Sequence, residues 1–475
     1  MMNYLLSPSS LAVIGGTNNH QKKGGRVLIN LQKSKFPGRL YAVNPNHKEV
    51  FGVPCYSSIL DIPDEVEAAC IIIPAPEIPE VIRECVRKGV KMVSIFSSGF
   101  AETGDEGERL QREILSIIKG TNLHVYGPNI PGLFDFRKKW GLSFSPKFEP
   151  HRFFSGSIGV ITQGGSLGRA IIDANEKGIG FSYWFSPGNE IDLDTNDFLK
   201  WLVDDDHTDV ILMILESVPD PERFIEVVNE ASNRNKPIVV LKLGNSPLAI
   251  KAIEKHLGIN RNRHLSWSLY KHPGIIQVDD LDELIGVGWL LQKYNQVMNG
   301  RVLIYSWAGG SSILMTDMCE RYGVSLPPMT RSLREKFEAL TPQNRSIMNP
   351  LDLTTAVYEN LSLFNKGLRL AIDSGEYDII LIPIPFKIEN LTEQMALHII
   401  DLAKNTKVPL VPVFLTTGEL SGTTYEMIAN SGIPYFTKTE TAIKSLALFL
   451  RYKQMPNILR GGNYYEKINY TRGSG

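Results

Sequence analysis

The feature that most constrains this chain is an alternation that runs through nearly all of its 475 residues: short β-branched apolar runs, each followed by a stretch with helical periodicity. A run of that kind bounded by turn formers reads as a strand buried on both faces. Strands separated by helix-length segments have to cross over, so helix-covered parallel sheets are expected. The runs fall into three groups. LAVIGG, LYAVNP, AACIIIP, MVSIFSSG and LHVYGPN occupy residues 10 to about 130. SIGVIT, GFSYWFS, DVILMILES and PIVVLKLG lie before about residue 295, and RVLIYSW, DIILIPIPF and LVPVFLT belong to a group that ends near 453.

A chain this long exceeds what one hydrophobic core organises, in keeping with several domains. The expected fold is α/β throughout: a Rossmann-like domain over 1–140, a flavodoxin-like open parallel sheet over 150–297, and a second one over 298–455. The first boundary is drawn from the loop-rich stretch SFSPKFEPHRFFSGS, and the polar, aromatic tail 456–475, ending TRGSG, is given no role. Composition narrows the class. With 43% apolar and 21% charged residues the chain reads as globular, and no apolar run approaches the ~20 residues of a membrane span. Fifty basic against 51 acidic residues leave a net charge of −1, so no global field draws nucleic acid or a membrane surface, and an anion has to be caught locally. The N-terminus lacks a basic segment followed by an apolar stretch and a small-residue cleavage site, which leads to an expected cytoplasmic location. Four cysteines without CxxC spacing are expected as buried thiols, with no metal site.

After the first strand come Gly15, Gly16 and Thr17, then Lys22, Lys23, Gly24 and Gly25 ahead of a helix. Glycine there lets backbone approach a pyrophosphate, and the helix N-terminus favours an anion by roughly 0.3–1 kcal/mol. The spacing is not GxGxxG. The second strand ends Ala42-Val43-Asn44-Pro45, where an NAD-binding fold places Asp or Glu for the ribose, so an NAD-dependent oxidoreductase is disfavoured. Lys48, just beyond, either meets an extra phosphate or is simply solvated.

The blocks IGGT, NP, IIIPAP, FSSGFAETG and GPNIPG, in that order, resemble the CoA-binding domain of succinyl-CoA synthetase α subunits and of ADP-forming acetyl-CoA synthetases. The resemblance implies that Gly15, Gly16, Thr17 and Lys22 meet the pyrophosphate region of CoA and that Asn44 and Pro45 lie along its nucleotide. It also implies that Ser97, Ser98 and Gly99 face the pantetheine arm, and it carries Asn129 over as a CoA contact. For Ser97 and Ser98 a plain strand-end turn is the other reading. Ile130 stands where the family's GPNCxG has cysteine, a departure that bears on the acyl pocket.

Moving a phosphoryl group from a nucleotide to a distant carboxylate suits a mobile side chain that is reversibly phosphorylated, and neutral imidazole is nucleophilic near pH 7. Such a histidine needs a carboxylate on its other ring nitrogen and N–H donors for the phosphate. KLGNSPLAIKAIEKHLG resembles the family segment that leads from KSGR to SHTG, with the same number of residues from lysine to histidine, which makes His256 the candidate. His264 and His272 read instead as one face of the next helix. Glu216 ends DVILMILES, where open α/β sheets place ligands, and matches the family's histidine-orienting glutamate. Gln163 to Gly168 resemble the family's TQSG(A/G)LG, so Gly164 and Gly165 would supply backbone N–H groups for the phosphate and Ser166 a hydroxyl. SPGNEIDLD, similar to SLGNxxDVD, would shape the same cleft through Asn189. Around the histidine, SHTGxLAG becomes KHLGINRNRH. Either the loop is reshaped for another acyl substrate or partner, or phosphotransfer has been lost; retention of His256, Glu216 and the glycine loop favours activity.

In the last segment, Ala308-Gly309-Gly310 and Asn349 to Thr354 resemble the AGG and NPVDLT blocks of the ADP-forming acetyl-CoA synthetase α subunit, which extends the resemblance over about residues 7–453. It implies an α subunit of a reversible NDP-forming ligase that joins a small carboxylic acid to CoA. No Walker-type GxxxxGK[ST] and no ATP-grasp-like segment is found, so ATP, ADP and Mg²⁺ are expected on a separate ATP-grasp β subunit in an α2β2 assembly. The alternative is a CoA-binding sensor or scaffold without turnover.

Overall fold

The computed structural model describes residues 1–146, 149–257, 271–296, 299–341, 347–385, 390–415 and 422–455, and of His256 and Leu257 only their place in a helix. The described residues divide into two compact units: Met1–Asn175 with Gly180–Gln277, and Glu176–Ile179 with 278–455.

The first unit contains two seven-stranded sheets. In the first, β1 (Ser10–Ile14), β2 (Arg39–Val43), β3 (Glu49–Val50), β4 (Val53–Tyr56), β5 (Ala68–Ile71), β6 (Met92–Ile95) and β7 (His124–Tyr126) lie in the order β3-β4-β2-β1-β5-β6-β7. All pairs are parallel except β3 with β4. Setting β3 aside, this is the 3-2-1-4-5-6 order of dinucleotide-binding folds. Its helices follow from local chemistry. In Ile78–Lys88, Pro79 sits in the first turn, Ile78, Ile82 and Cys85 form the buried face, Arg87 and Lys88 close the last turn, and Gly89 caps it at φ 82°. Burying each large aliphatic of such a face is worth roughly 1.5–3 kcal/mol.

The second sheet holds β8 (Gly132–Asp135), β9 (Trp140–Ser143), β10 (Ser155–Thr162), β11 (Phe181–Phe185), β12 (Val210–Leu215), β13 (Ile238–Lys242) and β14 (Ile275–Val278), in the order β14-β13-β12-β10-β11-β8-β9. Counting from β10, this is the flavodoxin-like 2-1-3-4-5 order, so β10 and β12 flank the topological switch point. β8 pairs antiparallel with β11 and with β9. The chain therefore joins the second sheet directly after Pro131, ahead of the loop-rich stretch from which the first boundary was drawn. The two sheets share a continuous core that includes Val13, Leu28 and Phe96 from one and Leu133, Trp140, Ile161 and Phe198 from the other. Buried Asn30 ties them further, its amide donating to the carbonyls of Ser143 and Ser145 at 2.8 and 3.0 Å.

The second unit carries β15 (Val302–Ser306), β16 (Leu351–Asp352), β17 (Ile379–Ile384) and β18 (Leu410–Phe414), parallel and ordered β16-β15-β17-β18. Helix Leu281–Lys293 packs on helix Thr439–Gln454 in this unit, so the contact boundary lies at Gln277 and Val278, ahead of residue 297. Asn349 is buried as a staple: its amide donates to the carbonyls of Val302 and Pro327, and its side-chain oxygen accepts the N–H of Ile304. Among the described residues, no helix is long and apolar enough to cross a membrane, and no group of three or more His, Cys, Asp or Glu side chains converges as a metal would require. The four cysteines are free thiols, three buried and Cys55 half-buried.

Candidate phosphotransfer and CoA site

The turn after β1 is built on glycine for steric reasons. Gly15 sits at φ 91°, and a Cβ there would lie 2.3 Å from the Ile72 carbonyl oxygen; a Cβ on Gly24 would lie 2.1 Å from the Gly15 carbonyl oxygen. At both positions backbone packs against backbone at a distance that leaves no room for a Cβ. Helix Lys23–Lys33 starts without a side-chain cap, Lys22 being its N-cap residue; Lys22 and Lys23 are exposed, and the Lys23 ammonium lies 4.8 Å from the centre of the Phe144 ring. Asn44 closes the other side by donating to the Gly16 carbonyl at 2.8 Å. Thr17 receives the N–H of Asn19 at 3.4 Å, and Pro45 is exposed beside Asn44.

Ser97, Ser98 and Gly99 follow β6. The Ser97 hydroxyl donates to the Ile73 carbonyl at 2.6 Å, Ser98 is exposed, and Gly99 has φ 107°. Asn129 donates its N–H to the Ser97 carbonyl at 3.0 Å, and its side-chain amide reaches the Asn189 oxygen at 3.5 Å. Asn189 in turn donates to Glu102 at 2.7 Å and to Gln111 at 2.9 Å. Burial acts to raise the Glu102 carboxyl, but hydrogen bonds from Asn189 and from the N–H groups of Gly99 and Phe100 outweigh it and hold the group below its ordinary range. Asn189 therefore links the two sheets at the Ser97 to Gly99 loop. Ile130 is buried against Gly127, in the shared core.

The turn after β10 is tighter. Gly164, at φ 101°, caps helix Gly165–Asp173, and a Cβ on it would lie 3.4 Å from a Glu216 carboxylate oxygen; a Cβ on Gly165 would lie 2.6 Å from Pro131. Ser166 is exposed at the start of this helix. The glycine loop and the strand-end carboxylate are thus brought together across the switch point between β10 and β12. Gln163, buried, accepts the N–H groups of Glu216 and Ser217 at 2.7 and 2.8 Å. Its amide nitrogen lies 2.9 Å from the Ser217 carbonyl, 3.0 Å from Glu190 and 3.2 Å from Thr195. The motif reading picks out Glu216 and Asn189 but misses Glu190 and Glu102. Their only trace in the sequence is an acidic residue inside a turn motif, which a solvated loop shows equally.

His256 stands in the last turn of helix Pro247–Leu257, and its side chain lies outside the described residues, as does His264. The helix contacts the short turn Ala101–Thr103, next to Gly99. It is launched by Lys242, buried at the end of β13, whose ammonium donates to the carbonyls of Leu243 and Gly244 and to Asn245. Burial lowers the pKa of that lysine. His272, expected on a helix face with His264, is instead buried in the turn ahead of β14, its Nδ1 accepting the Gly274 N–H at 3.0 Å. Burial pushes its pKa down to about 4.

Residues 9–134 match the CoA binding domain family, and residues 155–291 match the succinyl-CoA ligase like flavodoxin domain. The chain is 32% identical to the α subunit of ADP-forming acetate–CoA ligase I of Pyrococcus furiosus over 95% of its own length and 97% of that relative. It is 30% identical to the ADP-forming acetate–CoA ligase I of Archaeoglobus fulgidus over 96% of its length, but spans only 64% of that protein. In fold it is similar to the solved acetyl-coenzyme A synthetase 1 of Ca. Korarchaeum cryptofilum in complex with phosphate and ADP, with a TM-score of 0.83 and 27% identity, covering 95% of this chain and 97% of that one. A Rossmann-ordered sheet and a flavodoxin-ordered sheet on one core, with this likeness along nearly the whole Pyrococcus subunit, make the chain a member of the ADP-forming acetate–CoA ligase family.

Proposed function

We propose that this chain is the α-type subunit of an ADP-forming acyl-CoA ligase, which converts a carboxylate, CoA and ATP into acyl-CoA, ADP and phosphate. The reading rests above all on the Glu216 carboxylate beside the Gly164 turn, one compact unit with a CoA-type domain. In this scheme an imidazole nitrogen of His256 attacks the γ-phosphorus of ATP and ADP leaves. The phosphoryl group then passes to the carboxylate, and the thiol of CoA displaces phosphate from the acyl phosphate. Glu216 holds the far N–H of the imidazole and balances its positive charge, while the N–H groups of Gly164 and Gly165 and the hydroxyl of Ser166 receive the phosphate. CoA lies with its pyrophosphate over Gly15 to Thr17 and Lys22, its nucleotide along Asn44 and Pro45, and its arm toward Ser97 to Gly99 and Asn129.

The nucleotide and its Mg²⁺ belong, in this reading, to a separate ATP-grasp β subunit in an α2β2 assembly, since no nucleotide motif is found in this chain. The acid is a small carboxylate. The test is a panel of short carboxylates assayed with the co-purified partner, following acyl-CoA and nucleotide products together. Coupled, equimolar acyl-CoA and ADP are expected. AMP and pyrophosphate would refute the mechanism, and CoA binding without ADP formation on any acid would leave a sensor or scaffold.

A further inference from the structure

We propose that Gln163 is a positioning residue that sets the Glu216 carboxylate against the glycine turn by clamping the end of β12 to the Glu190 loop. The inference rests on Glu216 being the orienting carboxylate of the proposed function and adds a residue and a device that this role requires.

Gln163 is only 4% exposed, and its amide can point one way. Two backbone N–H groups, of Glu216 and Ser217, converge on Oε1 at 2.7 and 2.8 Å, so an acceptor has to stand there; a flipped amide would set donors against donors. This fixes Nε2 on the opposite side, with two hydrogens to give. Ser217 carbonyl oxygen at 2.9 Å and Glu190 Oε1 at 3.0 Å take them. Thr195 makes no further demand, because its hydroxyl is itself a donor to Glu190 Oε1 at 2.5 Å.

One buried amide therefore grips the chain at Glu216 and Ser217 on three sides and reaches across to Glu190. Glu190 occupies the left-handed region at φ 55°, a conformation unfavourable to a non-glycine residue that needs outside support. Its carboxylate, held by Gln163 and Thr195, provides that support. The end of β12 cannot shift along the sheet without breaking the Gln163 bonds, and Glu216 is the residue whose backbone they hold. A carboxylate that must meet a phosphate carrier within a few tenths of an ångström is placed from behind in this way.

The test uses the full chain with its nucleotide-binding partner and measures kcat for acyl-CoA formation, KM for CoA and thermal stability. In Gln163→Glu the second oxygen faces the Glu190 carboxylate and the Ser217 carbonyl with no proton to offer. A fall in kcat of at least about tenfold is expected, with KM for CoA within about twofold of wild type. Gln163→Glu combined with Glu190→Gln restores a donor across the 163–190 contact with its direction reversed, while the Ser217 carbonyl still faces an oxygen, so a partial recovery is expected, with kcat at least about threefold above that of Gln163→Glu alone. Gln163→Met, which keeps the volume, should reproduce the kcat loss if the charged variant folds poorly. Equal kcat in Gln163→Met and wild type, or a paired variant no better than Gln163→Glu alone, would overturn the positioning role. An inactive wild type, or one whose activity survives Glu216→Gln, would instead remove the parent reading and this inference with it.

Discussion

Two strand-turn-helix junctions in the same compact unit, after β1 and after β10, start from the same ingredients and are finished differently. Both follow a central strand of a mostly parallel sheet, both use glycine at positive φ, and both deliver a helix N-terminus. The β1 turn is long, its helix begins with two lysines, and its open side is closed by a neutral amide, Asn44. The β10 turn is short and has a carboxylate, Glu216, at its mouth and a second one, Glu190, behind it. A site for a resident polyanion gains from cations and loses from any nearby carboxylate. A site for a phosphate carried on imidazole needs a carboxylate to balance the imidazolium. Under the proposed function, the contrast would separate a place where an anion rests from a place where one is passed on.

The largest effect should come from removing that carboxylate. Glu216→Gln is expected to slow phosphate transfer to the chain by about 10²–10⁴-fold while leaving CoA affinity, read by calorimetry, unchanged. If CoA binding falls in step, the two turns do not divide the work. Next, Gly15→Ala drives a Cβ to 2.3 Å from the Ile72 carbonyl oxygen. It should cost about 1–3 kcal/mol of stability and weaken CoA at least about tenfold, and wild-type CoA affinity in this variant would contradict the placement. Asn44→Ala removes one hydrogen bond to the turn and should raise the Kd for CoA by about 3–10-fold, the weight of roughly 1 kcal/mol. The smallest effect belongs to Glu102. Its folded carboxyl is held below the ordinary value of 4.5, so the stability it contributes is present above that pH and lost as pH falls below it. The gap in melting temperature between wild type and Glu102→Gln should therefore be full at about pH 6 and shrink as pH falls toward about 3. A gap independent of pH would remove the argument.

Much of the fold is legible in the sequence because buried parallel strands leave long apolar runs. LAVIGG, LYAVNP and DVILMILES become β1, β2 and β12 with their flanking turns where expected. The β8 and β9 hairpin is not legible. GLFD and WGLS are short, and β8 is fixed by pairing with β11, far along the chain, which no local pattern encodes. Helix Leu281–Lys293 is buried on most sides, with Gly286, Val287, Gly288 and Trp289 all enclosed, so its own periodicity does not say which neighbour it joins. In the candidate site, Glu216 is legible because a charge at the end of an apolar strand is conspicuous. Gln163 is visible only as a letter of a loop motif. Its meaning lies in five hydrogen bonds to four residues, Glu190, Thr195, Glu216 and Ser217, that only folding brings to it.

The central claim is that the imidazole of His256 carries phosphate between nucleotide and acid. Its most direct test is to incubate the chain and its partner subunit with γ-labelled ATP, then follow the label through acid and base. The account predicts an acid-labile, base-stable phosphate on this chain that is absent in His256→Ala and discharged by acid and CoA together. Label that persists in His256→Ala, or a wild-type chain that takes up none while forming acyl-CoA, would contradict it.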